Sequence, residues 1–522
     1  MNLEIKKILI ANRGEIAIRI IRTCKEMGIK TVALCPQCGQ ENDFLETKLA
    51  DEFYFLDEPG IMGYLDQRKI IEIGKRAGVD AIHPGYGFLS ENGDFADLCQ
   101  ANGIKFIGPK GETLRQLGDK IMAKKIAWKV GLPLLKGPQK AVDEKECFKI
   151  AKKIKPPFLL KAVDGGGGIG IERIEKVDKD TLIGVFRKLT RVTESAFDSQ
   201  KIFIEKLLER TRHIEFQILG NGQGKVLYFG ERECSIQRRH QKILEEAPSP
   251  LLDDRLREKM GKLAVKLGES LRYESLGTIE FLVDEDRNFY FIEVNPRLQV
   301  EHPITEAVYE IDLVEKQIRI AQGEKLELKQ KNIKPRGWAM EFRICAEDPA
   351  KNFQPGTGRI NNYFLPGGRG VEIHTFLQPN QVIFPYFDNL LAKLVIWGKN
   401  RKHCILRARR SFEEFSIEGV PTLIPLFKSI LKNQDFINGK ISTSFIEDEK
   451  ILEGIPETKQ MIFKTEAPAP EIDLISAKGK EIDKKEIAKF LASIYIKIKK
   501  EGDFKTDTSK WKKAERIKMS EE

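Results

Sequence analysis

The sequence predicts a mixed α/β protein, and three stretches of its 522 residues carry that prediction. Residues 7–35 hold a short apolar run, a helical repeat and a β-branched run, which is the order of a βαβ unit. Residues 80–92, DAIHPGYGFLSEN, predict a strand that runs into a glycine-rich turn. Residues 158–174, FLLKAVDGGGGIGIERI, predict a strand, a glycine loop and a second strand. Strands that alternate with helices in this way are typical of α/β folds.

The first of these units runs from ILIA to TVALC. Between the two runs, Ile16, Ile20, Cys24 and Met27 recur at helical spacing, and Gly28 is expected to end the helix. A nicotinamide dinucleotide site would require GxGxxG at the first turn, where this chain has NRGEIA. The pattern therefore argues against a dinucleotide site.

The middle of the chain continues with helices and strands. Residues 118–133, GDKIMAKKIAWKVGLP, predict a helix that ends at Gly131 and Pro133. Residues 336–446 predict a mixed segment whose strands include WAMEFRICA and LLAKLVIWG.

The last part of the chain differs in composition. EAPAPE, residues 466–471, predicts a linker, and Asp483 with Glu486 forms a capping pair for a helix behind it. The helix is amphipathic, in a lysine-rich tail, and could dock on the body of the protein or on a partner. Its apolar face consists of Ile487, Phe490, Leu491, Ile494, Tyr495 and Ile498.

Composition narrows the class of protein. A chain of 522 residues predicts about three domains of ~100–200 residues, and 41% apolar with 32% charged residues is typical of a globular protein. The net charge of +10 is interspersed, which favours a mixed solvated surface over a nucleic-acid-binding face. No apolar run reaches the roughly 18 residues of a membrane span, and the start lacks a signal peptide, so we expect a cytoplasmic protein.

Cysteine usage agrees with that location, because the eight cysteines are scattered. Cys35 and Cys38 in CPQC have the spacing of metal ligands, but no second CxxC and no HxxxH accompanies them. We therefore expect two thiols in a loop rather than a zinc or redox site.

Residues 277–293, GTIEFLVDEDRNFYFIE, predict a β-hairpin, since two apolar runs flank DEDRN. With the turn centred near Asp286 and Arg287, Glu280 lies opposite Glu293, with Cβ atoms ~4.5–5.5 Å apart. Facing carboxylates repel unless a cation bridges them, and Mg²⁺ held partly by substrate phosphates would do so. The alternative is a pair of acids that point into water at a strand edge.

The following residues, EVNPRLQVEH, carry a charge or an amide at every second position. These positions are Glu293, Asn295, Arg297, Gln299 and Glu301. Pro296 cannot donate to a β-ladder, so we expect the chain to leave the sheet after Asn295 as an extended loop. Arg297 would then face an anion, and Glu301 could act as a base with His302 behind it.

Three further groups of residues are candidates on residue type. The four glycines of KAVDGGGGIG, behind Lys161, suit a flap over phosphates better than a merely flexible loop, and Lys120 is a second phosphate candidate. A basic run in residues 231–250 has no helical periodicity, and on residue type alone it predicts a solvated face. Its members are Arg232, Arg238, Arg239, His240 and Lys242. Arg343, between apolar residues on a predicted strand, needs a partner or a ligand, and Asp388 is a candidate partner.

From residue 5 to about 446, the chain resembles biotin carboxylase, the ATP-grasp component of biotin-dependent carboxylases such as acetyl-CoA, other acyl-CoA or pyruvate carboxylase. The motifs that carry the resemblance are IANRGEIA, HPGYGFLSEN, FIGPK, KAVDGGGGIG, ERECSIQRRHQKILEEAPSP, GTIEFL, FIEVNPRLQVEHPITE, MEFRICAEDP and PGTGRI. So many separated matches make the resemblance highly specific.

The resemblance implies an architecture. A Rossmann-like pre-ATP-grasp domain would occupy residues 1–115, and an ATP-grasp domain residues 116–335 with a mobile glycine-rich lid at about 132–206. A biotin carboxylase C-terminal domain would occupy residues 336–446, and a linker and lysine-rich tail residues 447–522.

The resemblance also implies an activity and its residues. MgATP (or MnATP) would activate bicarbonate as carboxyphosphate, and the CO₂ released from it would carboxylate biotin on a carrier protein. The implied ATP ligands are Lys120, Lys161, Gly165, Gly166, Gly167, Gly168, Glu205, Lys206, Leu208, His213, Gln237, His240 and Leu282. The implied metal ligands are Glu280, Glu293 and Asn295. The implied bicarbonate ligands are Lys242, Arg297, Gln299 and Val300. Glu301 matches the base that deprotonates bicarbonate, and Arg343 matches the residue that stabilises the biotin enolate.

The chain departs from the family pattern at several positions, which are Asp164, Ile169, Ile171, Pro296, Asn389 and residues 36–46. Ile169 replaces a basic lid residue, so we expect weaker closure on phosphate. No AMKM-like biotinylation motif occurs, so the carrier and the carboxyltransferase are expected as separate chains. The resemblance also implies a homodimer, and the final acceptor (acetyl-CoA, another acyl-CoA, pyruvate or a 2-oxo acid) would be set by the carboxyltransferase.

Two other functions stay open at this point. One is an ATP-grasp ligase with a different carboxylate acceptor, which would share the metal acids and the glycine lid. The other is an ATP-binding regulatory subunit without turnover, suggested only by Ile169. The tail, with SKWKKAERIKM at its end, resembles small accessory modules of biotin-dependent decarboxylases, which suggests docking to a partner subunit.

Overall fold

The computed structural model describes residues 3–36, 44–138, 140–162, 171–197 and 201–455. The strands in chain order are β1 (Lys7–Ile10), β2 (Lys30–Pro36), β3 (Glu52–Leu56), β4 (Ala81–His83), β5 (Lys105–Phe106), β6 (Phe158–Ala162), β7 (Ile171–Ile174), β8 (Ile202–Lys206), β9 (Arg212–Asn221), β10 (Val226–Arg238), β11 (Gln241–Ala247), β12 (Glu274–Val283), β13 (Phe289–Asn295), β14 (Trp338–Cys345), β15 (Glu347–Asp348), β16 (Gln354–Pro355), β17 (Gly358–Arg359), β18 (Asn362–Phe364), β19 (Val371–Thr375), β20 (Val382–Ile383), β21 (Leu390–Gly398) and β22 (Ser416–Glu418).

The helices are α1 (Gly14–Glu26), α2 (Leu45–Leu49), α3 (Gln67–Ala77), α4 (Gly93–Ala101), α5 (Gly111–Gly118), α6 (Lys120–Lys129), α7 (Glu144–Ile154), α8 (Lys179–Phe197), α9 (Asp254–Ser270), α10 (His302–Tyr309), α11 (Leu313–Ala321), α12 (Arg401–Glu414), α13 (Ile424–Ile430), α14 (Gln434–Ile437) and α15 (Phe445–Asp448). Short 3₁₀ helices lie at Gly63–Leu65, Gln330–Asn332 and Pro349–Lys351. The predicted α/β fold class is confirmed.

The N-terminal part is a parallel sheet with the strand order β3-β2-β1-β4-β5. The predicted βαβ unit is confirmed as β1, α1 and β2, and Ile16, Ile20 and Cys24 are buried between the helix and the sheet. Gly28 follows the helix at φ +72°, a left-handed conformation that ends helices and favours glycine.

The predicted glycine turn after β4 is also confirmed, with Gly85 and Gly87 at positive φ. Asn12 Nδ2 donates hydrogen bonds of 2.7 Å to the carbonyl oxygens of Pro84 and Tyr86. A Cβ at Gly85 would lie 2.9 Å from Asn12 Nδ2, so glycine is needed for this approach. Since β1 and β4 are parallel neighbours, their C-terminal loops meet at one edge of the sheet.

A small antiparallel sheet, β7-β6-β8, follows with α7 and α8 packed on it. Phe158, Leu160, Ile202 and Ile204 are buried in its core. β6 and β7 are the two predicted strands on either side of the glycine loop. Residues 163–170, which contain Gly165 to Gly168 and the departures Asp164 and Ile169, lie outside the described residues.

The largest described sheet is antiparallel, in the order β13-β12-β9-β10-β11-β14-β21-β19. It crosses the predicted boundary at residues 335/336, because β11 pairs with β14 from Ala247↔Ala339 to Leu244↔Phe342. Helix α9 packs on β9 and β10, α12 on β14 and β21, and α10 on β10, β14 and β21. One continuous sheet therefore carries residues from both predicted parts to a common face.

At its C-terminal end, the described chain joins the core that includes β14 and β21. Ile446 and Ile451 are buried there, and Leu452 and Ile455 pack against it. The predicted tail helix lies outside the described residues, as does Cys38, while Cys35 is buried on β2. Within the described residues, every helix is too short or too polar to cross a bilayer.

Candidate active site

The hairpin β12–β13 places Glu280 opposite Glu293, as predicted. The turn centres on Asp286, with Asp284 N donating to Asn288 O at 2.9 Å, which alone would set a register one residue away. A register shift after Glu280 restores the predicted pairing, since Phe281 faces Phe291 while Glu280 faces Glu293. β13 ends at Asn295, so the predicted exit from the sheet before Pro296 is also confirmed.

The two facing acids have opposite electrostatic environments. Burial and the charge of Glu280 raise the pKa of Glu293 above its usual range, although Lys120 opposes this. Burial would also raise the pKa of Glu280, but Lys242 and His213 outweigh it and hold that pKa far below its usual range. The Glu280 carboxylate is therefore ionised, and Glu293 is held beside a negative charge.

The donor set on this hairpin suits a hard divalent cation. Glu280 and Glu293 supply carboxylate oxygens, and Asn295, two residues further on, adds an amide oxygen. Asn295 Nδ2 donates to Glu280 Oε1 at 2.9 Å, which fixes the amide beside the acids. A cation between the two acids would offset the repulsion that raises the pKa of Glu293, so the residues fit Mg²⁺.

A different group, His213, Glu215 and Glu280, also brings its donor atoms within 4.8 Å of one another. Lys242 fills this space, because its Nζ lies 2.5 Å from Glu215 Oε2 and 2.8 Å from Glu280 Oε1. The ammonium already balances these acids, so the Glu293 side of Glu280 fits a metal better.

Lys242 lies at the centre of the ion pairs of the site. Its Nζ also lies 2.8 Å from Glu301 Oε1, so one ammonium contacts three carboxylates on β9, β12 and the start of α10. Burial opposes its charge, but Glu215, Glu280 and Glu301 outweigh burial and raise the pKa of Lys242 well above its usual value. Lys242 therefore joins the metal acids to Glu301.

Glu301 is fully buried between Lys242 and Arg343. Arg343 NH2 lies 3.0 Å from Glu301 Oε2 and 2.6 Å from Glu245 Oε1. Burial disfavours the charge on Glu301, but Lys242 and Arg343 lower its pKa well below the usual value. The predicted pairing of Arg343 with Asp388 is wrong, because β11 supplies Glu245 instead, and Asp388 Oδ1 accepts from the backbone N–H of Leu390 at 2.7 Å.

The loop between β13 and α10 holds Arg297, Gln299 and Val300. Arg297 Nε donates to Glu91 Oε1 at 2.8 Å, which connects the loop to the segment that follows the glycine turn after β4. Gln299 is 4% exposed, and its Nε2 has no hydrogen-bond partner among the described residues. Arg343 Nε is likewise buried without a partner there. Buried donors of this kind suit an anionic ligand, because leaving them unpaired is costly.

His302, expected behind Glu301, begins α10 in full burial. Its Nδ1 lies 2.8 Å from the carbonyl oxygen of Gln299. Burial lowers its pKa well below the usual value, so the ring is neutral and braces the loop.

Among the predicted adenine and phosphate residues, Lys161 lies on β6, and Glu205 and Lys206 lie at the end of β8. Glu205 Oε2 lies 2.7 Å from Lys161 Nζ, and Lys124 also pairs with Glu205. Burial opposes ionisation of Glu205, yet Lys161 and Lys124 lower its pKa to about 2. Lys206 turns away, since its Nζ donates to the carbonyl oxygen of Lys155 at 3.1 Å, and Leu208 is half-buried after the strand.

On the neighbouring sheet, His213 faces Leu282 in register. Its Nδ1 lies 2.9 Å from Gln237 Nε2, and its Nε2 lies 2.9 Å from Glu280 Oε2. His240 is exposed at the turn between β10 and β11. The structure thus brings His213, Gln237 and Leu282 close to Glu280 on the hairpin. It leaves His240 in the exposed turn.

The basic run of residues 231–250 is not a solvated face, contrary to the prediction from residue type. Arg232 is fully buried, with Nε 2.5 Å from Glu215 Oε1 and NH2 donating to Thr278 Oγ1 at 3.0 Å. Arg238 is 8% exposed and pairs with Glu347. β10 is paired on both edges, by β9 and β11, and helices α9 and α10 pack against it.

Sequence reasoning missed several residues that contact the predicted site residues. They are Glu91, Lys124, Glu215, Glu245 and Lys393, the last of which donates from Nζ to the carbonyl oxygen of Val300 at 2.9 Å. One signal was available in HIEFQILG, where Glu215 interrupts an apolar strand. The same signal occurs in LLAKLVIWG, where Lys393 does so. A charge inside such a strand needs a buried partner.

Three consecutive parts of the chain match known protein domains. Residues 4–114 match the biotin carboxylase N-terminal domain, residues 119–329 the ATP-binding domain of the carbamoyl-phosphate synthase L chain, and residues 341–448 the biotin carboxylase C-terminal domain. Biotin carboxylase of Nostoc sp. is 47% identical over 85% of this chain and 99% of its own. Biotin carboxylase 1 of Bacillus subtilis is 42% identical over 86% of this chain and 99% of its own.

Among solved structures, the biotin carboxylase domain dimer of the Hydrogenobacter thermophilus 2-oxoglutarate carboxylase has a TM-score of 0.83. It is 43% identical, covers 86% of this chain and 98% of its own, and was solved with MgADP, ADP and bicarbonate. At these identities and coverages, the chain belongs to the biotin carboxylase family.

Proposed function

We propose that the chain carboxylates biotin on a carrier protein, with MgATP and bicarbonate as the other substrates and carboxyphosphate as the intermediate. The observation that carries this proposal is Lys242, whose Nζ lies 2.8 Å from both Glu280 Oε1 and Glu301 Oε1. One ammonium thus spans the distance between the acids that fit a metal and the carboxylate beside Arg343. A phosphoryl group on the Glu280 side and a one-carbon anion on the Glu301 side could both contact this ammonium.

Glu280, Glu293 and Asn295 would hold Mg²⁺ (or Mn²⁺), which when bound neutralises charge on the nucleotide phosphates. Lys120 and Lys161 would add positive charge on the phosphate side. Gly165, Gly166, Gly167 and Gly168 would cover the phosphates and exclude water, which protects carboxyphosphate from hydrolysis.

The adenine would lie between the small sheet and the large one. Its proposed ligands are Glu205, Lys206, Leu208, His213, Gln237, His240 and Leu282. Support comes from the contacts of His213 with Gln237 and Glu280, which join this group to the metal acids.

Bicarbonate would bind to Lys242, Arg297, Gln299 and Val300. The unpartnered Nε2 of Gln299 supports this role, because a buried amide donor gains a hydrogen bond when an anion arrives. Glu301, ionised beside this group, would accept the bicarbonate proton.

Arg343 would stabilise the negative charge that develops on the ureido oxygen of biotin. Its guanidinium is held by Glu245 and Glu301, so its position is set before the reaction begins. Fixed donors aimed at developing charge stabilise it without reorganisation.

The domain boundaries, the homodimer, the cytoplasmic location and the separate carboxyltransferase and carrier chains belong to the same proposal. The relative from H. thermophilus is a dimer in its structure, which supports the homodimer. Light scattering on the purified chain tests that state.

An ATP-grasp ligase with another acceptor is the alternative. It would share the hairpin acids, but it would not need Arg343 beside Glu301. The 3.0 Å contact between these residues favours biotin carboxylation.

The test is MgATP hydrolysis with bicarbonate, measured with and without free biotin. We expect biotin to stimulate hydrolysis. Activity that requires another carboxylate acceptor would support the ligase, and nucleotide binding without turnover would support a regulatory role.

A further inference from the structure

A buried lysine lies in the middle of β21, whose sequence LLAKLVIWG is otherwise apolar. Lys393 on β21 is 0% exposed, and its neighbours Leu391, Ala392, Leu394 and Val395 are also buried. Burying an ammonium is costly unless it is paired and hydrogen-bonded. A methionine or leucine would pack in this strand without that cost, so the charge calls for an explanation beyond packing.

The partners of Lys393 come from two distant parts of the chain. Its Nζ donates to the carbonyl oxygen of Val300 at 2.9 Å and lies 3.1 Å from Glu15 Oε2 in the first turn of α1. The other oxygen of Glu15 accepts a hydrogen bond from the hydroxyl of Tyr86, in the glycine turn after β4. Lys393 Nζ also lies 6.0 Å from the centroid of the Tyr86 ring. The series of contacts from Tyr86 through Glu15 and Lys393 to Val300 therefore joins the N-terminal sheet to the loop before α10.

Lys393 also faces Arg343 in register on the adjacent strand β14. Like charges that face each other across a sheet destabilise it, so each cation must have its own anions. Arg343 has Glu245 and Glu301, and Lys393 has Glu15. The two cations consequently hold consecutive residues, since Arg343 holds the side chain of Glu301 and Lys393 holds the backbone of Val300.

We propose that Lys393 is a positioning residue for bicarbonate, which fixes the backbone of Val300 so that Gln299 and Glu301 are held in binding geometry. This inference rests on the proposed function. The arrangement supports it because the loop turns at Val300, and the only charged donor to the Val300 carbonyl among the described contacts is Lys393. Without that donor, the carbonyl of Val300 loses this partner and the peptide at Val300 can rotate. The rotation would misplace the side chains of Gln299 and Glu301.

The first variant is Lys393→Met, which keeps a side chain of similar length and loses the charge and the donor. We expect the KM for bicarbonate to rise by roughly 10- to 100-fold, as small misplacements of binding groups can produce, while the KM for MgATP is unchanged. Lys393→Met leaves Glu15 buried without its cation, and that could unfold the protein. The double variant Lys393→Met/Glu15→Gln removes both charges, and replacing a buried ion pair with neutral groups is often neutral for stability.

The matched control is Lys105→Met. Lys105 on β5 also joins the N-terminal sheet to the large sheet, with Nζ 2.8 Å from Glu274 Oε1 on β12, but it does not touch the Val300 loop. We expect this control to leave the KM for bicarbonate unchanged.

Steady-state ATP hydrolysis with free biotin, titrated separately with bicarbonate and with MgATP, separates the outcomes. Thermal midpoints of all variants are measured alongside. A folded double variant with the wild-type KM for bicarbonate would overturn the inference, as would a parallel rise of both KM values with a lowered midpoint, which indicates a structural role only. A wild-type protein without biotin-stimulated hydrolysis would instead overturn the proposed function.

Discussion

At the scale of single residues, Arg343 carries the most specific part of the proposed chemistry. Replacing Arg343 with alanine removes the guanidinium held by Glu245 and Glu301 but leaves the hairpin acids in place. We expect carboxylation of free biotin to fall about 10²–10³-fold, as when one fixed donor to a developing oxyanion is removed. ATP affinity should change little.

The measurement is the rate of biotin-dependent carboxylation together with a nucleotide-binding titration. Arg407→Ala, on α12 in the same part of the chain, is the control because Arg407 donates to the backbone carbonyl of Trp397 and not to Glu301. Full carboxylation by Arg343→Ala would disprove the role of Arg343.

Glu341 is a buried acid that makes the stability of the folded protein depend on pH. It is fully buried opposite Glu245 on β11, and neither of its carboxylate oxygens has a hydrogen-bond partner among the described residues. Burial raises the pKa of Glu341 well above its usual value; Glu245 adds to the rise, while Lys393 and Arg343 oppose it. The folded protein therefore binds a proton here at a pH where the unfolded chain has released it.

The sign of the pH effect follows from that difference. The stability associated with protonated Glu341 is complete below the ordinary pKa of glutamate, near 4.3, and is lost as the pH rises towards the folded pKa. Glu341→Gln should match the wild type near pH 4 and be more stable at pH 8, because glutamine needs no proton to be buried, and each unit by which the folded pKa of Glu341 is raised is worth about 1.4 kcal/mol. Thermal midpoints at both pH values test this.

Glu413→Gln, at an exposed position on α12, is the matched control and should leave both midpoints unchanged. A Glu341→Gln midpoint at or below the wild type at pH 8 would contradict the prediction.

Single residues also show where sequence reasoning stops. The need of Arg343 for a partner is predictable, since a guanidinium on an apolar strand must be neutralised. The identity of that partner is not, because Glu245 and Arg343 are 98 residues apart and meet only when β11 pairs with β14. Asp388 was close in sequence to the next strand, but its carboxylate is used by the backbone of Leu390.

At the scale of elements, the β12–β13 hairpin is the most predictable part of the site. Its existence follows from local signals, two apolar runs and a polar turn. The facing of Glu280 and Glu293 also needs the register shift, because the turn alone would set a register one residue away. The register shift after Glu280 could not be foreseen, because the turn signals do not say where a bulge inserts its extra residue. That residue lies on β13, since β12 pairs with β9 without a shift.

Replacing Glu293 on the same hairpin should raise the stability of the metal-free protein and weaken its use of Mg²⁺. Glu293→Gln removes a buried acid whose pKa is raised by burial and by Glu280, so the metal-free protein should become more stable at neutral pH. The variant also loses a carboxylate from the oxygen donors of the metal, so the Mg²⁺ concentration for half-maximal ATP hydrolysis should rise by at least about tenfold.

The two effects are measured by thermal unfolding in EDTA and by a Mg²⁺ titration of hydrolysis. Tyr290→Phe, on the same strand, removes only a 3.2 Å hydrogen bond to Asp284 at the turn, and it should not change the Mg²⁺ requirement. An unchanged Mg²⁺ requirement in Glu293→Gln would place the metal elsewhere.

At the scale of the whole molecule, the large sheet brings together residues whose proximity no local sequence pattern predicts. It runs from the hairpin acids through Glu215 and Lys242 to Arg343 and Lys393, so one sheet carries residues on both sides of the predicted boundary at 335/336. The fold class follows from hydrophobic periodicity, which is local. The convergence of β9, β12, β11, β14 and β21 depends on long-range pairing, and this is why the residue types were predictable while their contacts with each other were not.

Residues 467–522 hold none of the residues assigned to the candidate site. The described core closes with Ile451, Leu452 and Ile455, which pack against the apolar residues of β14 and β21. Deleting residues 467–522 removes none of these contacts and none of the site residues. We therefore expect the truncated chain to keep its bicarbonate-dependent ATPase activity and its thermal midpoint.

The same deletion removes the predicted amphipathic helix, whose apolar face needs a partner surface to be buried. If the tail docks on a carboxyltransferase, co-purification of that partner with the truncated chain should weaken, and replacing Ile487, Leu491 and Ile494 with serine in the full chain should weaken it equally. Substituting Lys484, Lys485 and Lys489 with glutamine is the control, because it changes the polar face and leaves the apolar one intact. Unchanged co-purification by the truncated chain would exclude docking through the tail, and a loss of ATPase activity would show instead that the tail packs on the body.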